Sequence, residues 1–246
     1  MHDPIAGAFV VLPLLLVAAL IAGVAHASRR LGEPPGLRAR LIVITTIAAA
    51  IWMGATWAAA RSGALSDFTR TPPPFAILVV TIILLAIRIG LTRYGRRLAL
   101  GLPLWVLIGV QAFRLPLELA MHGLAERGVM PPQMTYTGRN FDIVTGATAI
   151  VVAVVAWRAQ PGVGPLPSGA RWLAAAWNAL GLALLVNVVT IAILSTPRIR
   201  YFGDDRVNVF VTQVPYVWLP AVLVLAALAG HLVIYRGLRA AGRQPR

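Results

Sequence analysis

The sequence predicts an all-α fold: one polytopic membrane bundle of seven transmembrane helices, a single domain over 1–246, N-terminus outside and C-terminus inside. Three observations carry this. Hydrophobic residues make up 59% of the 246-residue chain and charged residues only 12%, about half the usual globular share of charge. A soluble domain of this size could not hide so much apolar surface. Seven stretches approach the roughly 20 apolar residues that cross a hydrocarbon core of about 30 Å. Between them lie short, arginine-bearing connections whose charge alternates from side to side.

The spans fall at about 7–27, 41–60, 75–92, 98–122, 141–158, 172–195 and 211–235. The first begins after Met1–His2–Asp3–Pro4 and ends in Ala27–Ser28–Arg29–Arg30. Basic residues follow the apolar run instead of preceding it, which predicts a retained helix with its start outside, not a cleaved leader. The second lies between Arg40 and Arg61, with Trp57 near its outer end. The third follows a proline run, and its Arg88 reaches inner headgroups by snorkelling. The fifth and sixth carry Trp157 and Trp172 at their inner ends, and the seventh ends at Tyr235. Such amphipathic rings suit the membrane interface. Short connections predict antiparallel neighbours. No internal repeat suggests an inverted-repeat transporter.

Counting arginines fixes the orientation. The inner side holds 13: Arg29, Arg30, Arg38, Arg40, Arg93, Arg96, Arg97, Arg158, Arg171, Arg236, Arg239, Arg243 and Arg246. The outer side holds 7: Arg61, Arg70, Arg127, Arg139, Arg198, Arg200 and Arg206. The excess marks the cytoplasmic face. A net charge of +14 would otherwise suggest nucleic acid. Here the arginines are divided among membrane loops, so the bilayer is the expected partner and nucleic acid is not.

Absent residue types narrow the chemistry. There is no cysteine, so disulfides, thiolate metal sites and cysteine nucleophiles are excluded. There is no lysine, so Schiff-base chemistry and a P-loop are excluded. No HExxH, GxSxG or GxGxxG motif occurs. No metal or cofactor is expected. The one arrangement to weigh is His26 with His231, near the inner ends of the first and last spans, where two facing imidazoles could ligate haem or a metal.

The fourth span carries the sharpest pattern. Gln111, Arg114, Glu118 and His122 are spaced 3, 4 and 4 residues apart. At 100° per residue they share an arc of about 80°. Such a stripe turns toward protein or water. Pro116 lies within it and frees the carbonyl of Ala112, which predicts a bend or water site. Other spans add polar groups at the same depth: Arg139, Asn140, Asp142 and Thr145; Asn187 and Thr190; Asn208, Gln213, Tyr216 and Trp218; Trp52 and Thr56.

These residues suggest a polar pocket open to the outer side, lined mainly by the fourth to seventh spans. Its expected ligand is a small polar or anionic solute, bound, sensed or moved. Arg114 would hold an anionic group, Glu118 a proton or amine, and Asn187 and Gln213 would orient the ligand. The same charges could instead be a structural ion network, with Glu118, Asp142 or a bound anion as the partner of Arg114. Glu118, His122 and Asp142 could also serve acid–base chemistry on a lipid headgroup or isoprenoid. An accessory subunit of a homo- or hetero-oligomer is a third reading. The connection 123–140 is expected to fold over the pocket and bring Tyr136 or Arg139 to Glu118. Asn178 is expected to make an interhelical hydrogen bond.

Four runs stand out: Arg114–Leu115–Pro116–Leu117–Glu118, Gly138–Arg139–Asn140–Phe141–Asp142, Trp177–Asn178–Ala179–Leu180–Gly181–Leu182 and Val217–Trp218–Leu219–Pro220. Together they resemble a family of uncharacterised bacterial seven-span membrane proteins. The resemblance covers roughly the last 135 residues. It implies the same architecture and an inner-membrane location, and no activity.

Overall fold

A computed structural model describes residues 4–241. Among these the chain is all helical, without strands. Its elements are α1 (Pro4–Arg30), α2 (Pro35–Arg61), α3 (Pro74–Leu91), α4 (Arg93–Gly101), α5 (Leu104–Val110), α6 (Arg114–Glu126), α7 (Ile143–Ala159), α8 (Ser168–Leu194) and α9 (Leu225–Ala241). Six helical segments are long and apolar enough to cross a membrane: α1, α2, α3, the continuous run Leu104–Glu126, α8 and the run Leu219–Ala240. The fifth stretch, α7, has 17 residues, about 25 Å at 1.5 Å per residue.

The surface is that of a membrane protein. Ile51, Leu84 and Val151 are 66%, 61% and 62% exposed, and most other exposed large side chains on the helices are also aliphatic. In water such a belt would drive association; in lipid it is the matching solvent. The polar side chains Gln111, Arg114, Glu118, Asn140, Asp142, Asn178, Asn208 and His231 are all buried inside. The chain is a multi-pass membrane protein with its polarity turned inward.

Prolines set the element boundaries that differ from the sequence reading. The fourth span was expected from residue 98, but residues 93–101 form the separate helix α4. Pro103 holds Leu102 in an extended conformation (φ −111°, ψ 141°), as a residue before proline prefers. Within the span, Pro116 cannot bond to the carbonyl of Ala112, and Gln111–Phe113 tightens into a 3-10 turn. The last span was expected from residue 211. It begins at Leu219 with a π-helical turn, Leu219–Val224, that contains Pro220. Residues 195–218 form the longest connection, longer than 127–142, with short 3-10 turns at Asp204–Arg206 and Phe210–Thr212.

Successive long helices alternate in direction. One end of the bundle carries the connections 127–142 and 195–218, hereafter the loop end; the other carries most arginines. At the loop end, Gln133 Nε2 donates to Ser195 Oγ (2.9 Å) and to the carbonyl of Arg206 (2.8 Å). Ser66 and Thr212 share a hydroxyl–hydroxyl bond of 2.6 Å. These bonds tie three connections into one cap. Beneath it lies the main core, with Phe9, Phe75, Ile82, Leu117, Met121, Leu124, Met134, Phe210 and Leu223. Two indoles clip α2 to the last span. Trp52 Nε1 donates to the carbonyl of Ala221 in the π turn (2.8 Å), and Trp218 Nε1 donates back to the carbonyl of Met53 (3.2 Å).

At the arginine end, Glu33 accepts from Ser28 Oγ (2.6 Å) and from Arg97 Nε (2.8 Å), joining the α1–α2 turn to α4. Arg236 Nη1 donates to the carbonyls of Gly90 and Thr92, satisfying the C-terminus of α3.

Candidate functional site

The site is built where α6 meets the start of α7. Arg114 Nη1 donates to Asp142 Oδ1 at 2.9 Å. One turn along α6, Glu118 accepts from Asn140 Nδ2, which lies 2.9 Å from both carboxylate oxygens. The register follows from geometry. Four helical residues rise about 6 Å, and two residues of extended chain span about 6.6 Å. Asn140 and Asp142 therefore match Glu118 and Arg114 respectively, while Phe141 between them faces outward. Asn140 also donates to the carbonyl of Met134 and accepts from the amide of Asp142 through its Oδ1.

Close helix approach makes this possible. A Cβ added to Gly146, one turn after Asp142, would lie 2.4 Å from the backbone nitrogen of Leu115. Only glycine lets α7 come so near α6. Gly181 of α8 behaves likewise: an added Cβ would lie 2.6 Å from His231 Cε1. Its carbonyl faces Arg114 Nη1 at 3.5 Å. His231 Nδ1 and Asn178 Oδ1 are 2.8 Å apart, and Asn178 Nδ2 donates to the carbonyl of His231.

A cavity of about 70 Å³ lies beside this network, room enough for water or a small polar group. Its walls come from α3, α6, α8, the π turn and the start of α9, with Met134, Asn208 and Val211 from the cap. The lining is aliphatic and aromatic except for Arg114, Glu118, Asp142 and Asn208. Arg114 and Asn208 are 1% and 0% exposed. Arg114 Nε and Nη2, and both amide atoms of Asn208, make no hydrogen bond among the described residues. Buried polar groups are otherwise almost always paired.

The structure divides the sequence candidates. Arg114, Glu118 and Asp142 line the cavity, and Asn140 fixes Glu118 from behind. Gln111 is buried close to Gly230 and does not line it. His122 leaves Glu118 for the surface, stacks on Tyr136 (4.7 Å between centroids) and lies 3.5 Å from Glu126. Glu118, His122 and Asp142 therefore do not converge as an acid–base set. Arg139 is exposed over the ring of Phe202 (5.3 Å), and Asn187 Nδ2 donates to its carbonyl at 2.9 Å. Gln213 is exposed, and Tyr216 packs edge-on between Phe9 and Phe210. Neither lines the cavity, and the last span begins after them. Connection 123–140 does fold over the bundle, but it is Asn140, not Tyr136 or Arg139, that reaches Glu118.

Two further expectations change. The cavity uses α3 as a wall and takes only Asp142 from the segment leading into the fifth stretch. His26 is exposed on α1 while His231 is sealed against Asn178 of α8, so the two imidazoles share no site. Among the described residues no group of three or more His, Asp or Glu side chains is placed to hold a metal ion. The residue that sequence reading undervalued is Asn208. It was legible as one polar group near the seventh span, but nothing in its neighbours set it apart from Gln213.

The chain matches no known family model, and neither curated proteins nor solved structures give a match.

Proposed function

We propose that this chain is a seven-span inner-membrane protein, N-terminus out and C-terminus in, that binds a small uncharged molecule in its central cavity. In this reading α7 is the seventh crossing, and the polar network is a rigid frame that presents Arg114 and Asn208 to the ligand. The observation that carries the reading is that two residues lining the cavity hold unpaired buried polar atoms, Nε and Nη2 of Arg114 and the amide of Asn208. An orphaned buried donor loses about 1–3 kcal/mol relative to water, which a bound acceptor recovers.

Charge selects among solutes. One guanidinium faces two carboxyl groups, Asp142 and Glu118. The guanidinium of Arg114 is already paired with Asp142, so an anion would bring a charge that the buried site does not match, and a cation would meet Arg114. A neutral group with an acceptor oxygen suits the free donors. This narrows the polar or anionic solute expected from the sequence to a neutral polar one. The resemblance of the four motif runs to an uncharacterised seven-span family fits the same picture, because the first two runs supply the frame.

Native mass spectrometry of the protein released from membranes tests the reading. The wild type should carry a bound small molecule, and Asn208→Leu should lose it while remaining folded. A wild type with no bound mass would overturn it.

A further inference from the structure

We propose that the ligand is an uncharged, long-chain amphiphile drawn sideways from the bilayer through a gap between α3 and α8. Its chain would occupy the gap, and a carbonyl or hydroxyl oxygen at its head would accept from Arg114 and Asn208. This rests on the cavity being a ligand site and adds the route and the ligand's chemical class.

Exposure along the lining locates the opening. Of the lining residues of the Leu104–Glu126 run and the last span, Leu117, Met121 and Leu223 are buried, and Phe113, Pro220 and Val224 are half-buried. On α3 and α8, Phe75, Ile82 and Leu185 are buried at the back, while Val79, Ile83, Val188, Val189 and Ala192 are half-buried and Ile193 is exposed. A cavity opens where its walls are exposed, so its mouth lies between these two helices. Both helices are of membrane-spanning length, which puts the mouth against acyl chains, not water. These mouth residues are all aliphatic.

The loop end is shut. There, Met134 and Val211 line the cavity and are buried under the cap. The cap is itself held by Gln133 to Ser195 and Arg206. A water-borne solute meets this closed face, whereas a membrane-dissolved molecule meets an apolar slot. Inside the slot the lining changes character, from Val188 and Ile83 to Arg114, Glu118 and Asn208. A ligand matching both parts has an apolar body and a polar end. The pairing of Arg114 with Asp142 leaves no unmatched charge for a charged head, which makes that end uncharged, and the unbonded N–H groups of Arg114 make it an acceptor.

The test uses the full-length protein in lipid nanodiscs and a long-chain fatty alcohol bearing a diazirine on its chain. Light should attach the probe to α3 and α8 around Ile83 and Val188, in a saturable reaction competed by unlabelled alcohol. Ala192→Phe, which narrows the mouth without touching the polar network, should lower labelling roughly five- to tenfold. Asn208→Leu should do the same, the scale expected for one lost hydrogen bond. Val186→Ala, at an exposed position on α8 outside the cavity lining, should keep it. A fatty-acid probe of equal length should label without saturation. Labelling that does not saturate and is equal in all variants would mean only lipid contact at the outer surface, and would overturn the proposal. If the wild type and Ala192→Phe both retain a bound mass in native spectra while the alcohol fails to label, the sideways route is wrong and the ligand site stands. If the wild type retains none, both fail.

Discussion

Asn140 holds Glu118 by a single amide nitrogen placed 2.9 Å from each carboxylate oxygen. Neither side chain reaches water, and Asn140 sits in the cap connection while Glu118 sits on a spanning helix. This bond therefore joins the cap to the helix that lines the cavity. Asn140→Leu should destabilise the protein by about 1–3 kcal/mol, the range for a buried group left unbonded. Adding Glu118→Leu should recover most of that loss, because the orphaned acceptor is gone. Denaturant unfolding in detergent reads both values.

Arg114 and Asp142 form the second rung. Arg114→Leu leaves a buried carboxyl without its partner and should cost about 3–5 kcal/mol. The double change to leucine at both positions should be far milder than the sum of the two single changes. Pairing Arg114→Leu with Glu118→Gln should not rescue, because the hydrogen-bonded partner is Asp142. The same unfolding assay separates these outcomes.

The interleaving of these four residues explains what the sequence could and could not reveal. The Gln111–Arg114–Glu118–His122 stripe was legible because helical periodicity puts its members on one face. That Arg114 would choose Asp142 over Glu118 was not legible, since the choice depends on Gly146 bringing α7 against α6. His122 obeyed the periodicity yet left the site, because one further turn carries it out to Tyr136. The spans were legible from hydropathy, but their edges were moved by Pro103 and Pro220, which break helices that composition alone would continue. The sideways mouth had no sequence signal: Val188 and Ile83 look like any lipid-facing aliphatic residues.

The indole clip should be measurable. Trp52→Phe removes the bond to Ala221, and Trp218→Phe removes the bond to Met53; each should lower stability by about 1 kcal/mol. Both also support the π turn that forms one cavity wall, so the double variant should weaken ligand retention in native spectra.

Glu33 gives a pH signature at the arginine end. Burial pushes its carboxyl upward, but hydrogen bonds from Ser28 and Arg97 outweigh this and hold it below the ordinary value of 4.5. A carboxyl lowered on folding adds stability above that ordinary value, and the gain is lost as pH falls through the folded value. Thermal unfolding should thus show wild type above Glu33→Gln at pH 6, with the difference shrinking toward pH 3. A difference that grows on acidification would refute the assignment.

Topology can be read with single cysteines, since the chain has none. Thr69 is exposed in the connection between α2 and α3, and Ser168 is exposed at the first residue of α8. A membrane-impermeant maleimide should label Thr69→Cys on intact cells and Ser168→Cys only after permeabilisation. Labelling of both on intact cells would mean that α7 does not cross.

The sign of one stability change tests the ligand site most directly. Asn208→Leu replaces two unbonded polar atoms with a side chain of similar size. If the cavity holds a ligand bonded to Asn208, the variant in native-membrane nanodiscs should melt at a lower temperature than wild type. If nothing occupies it, leucine removes an unsatisfied buried amide, and the melting temperature should rise. A rise would contradict the ligand-binding account.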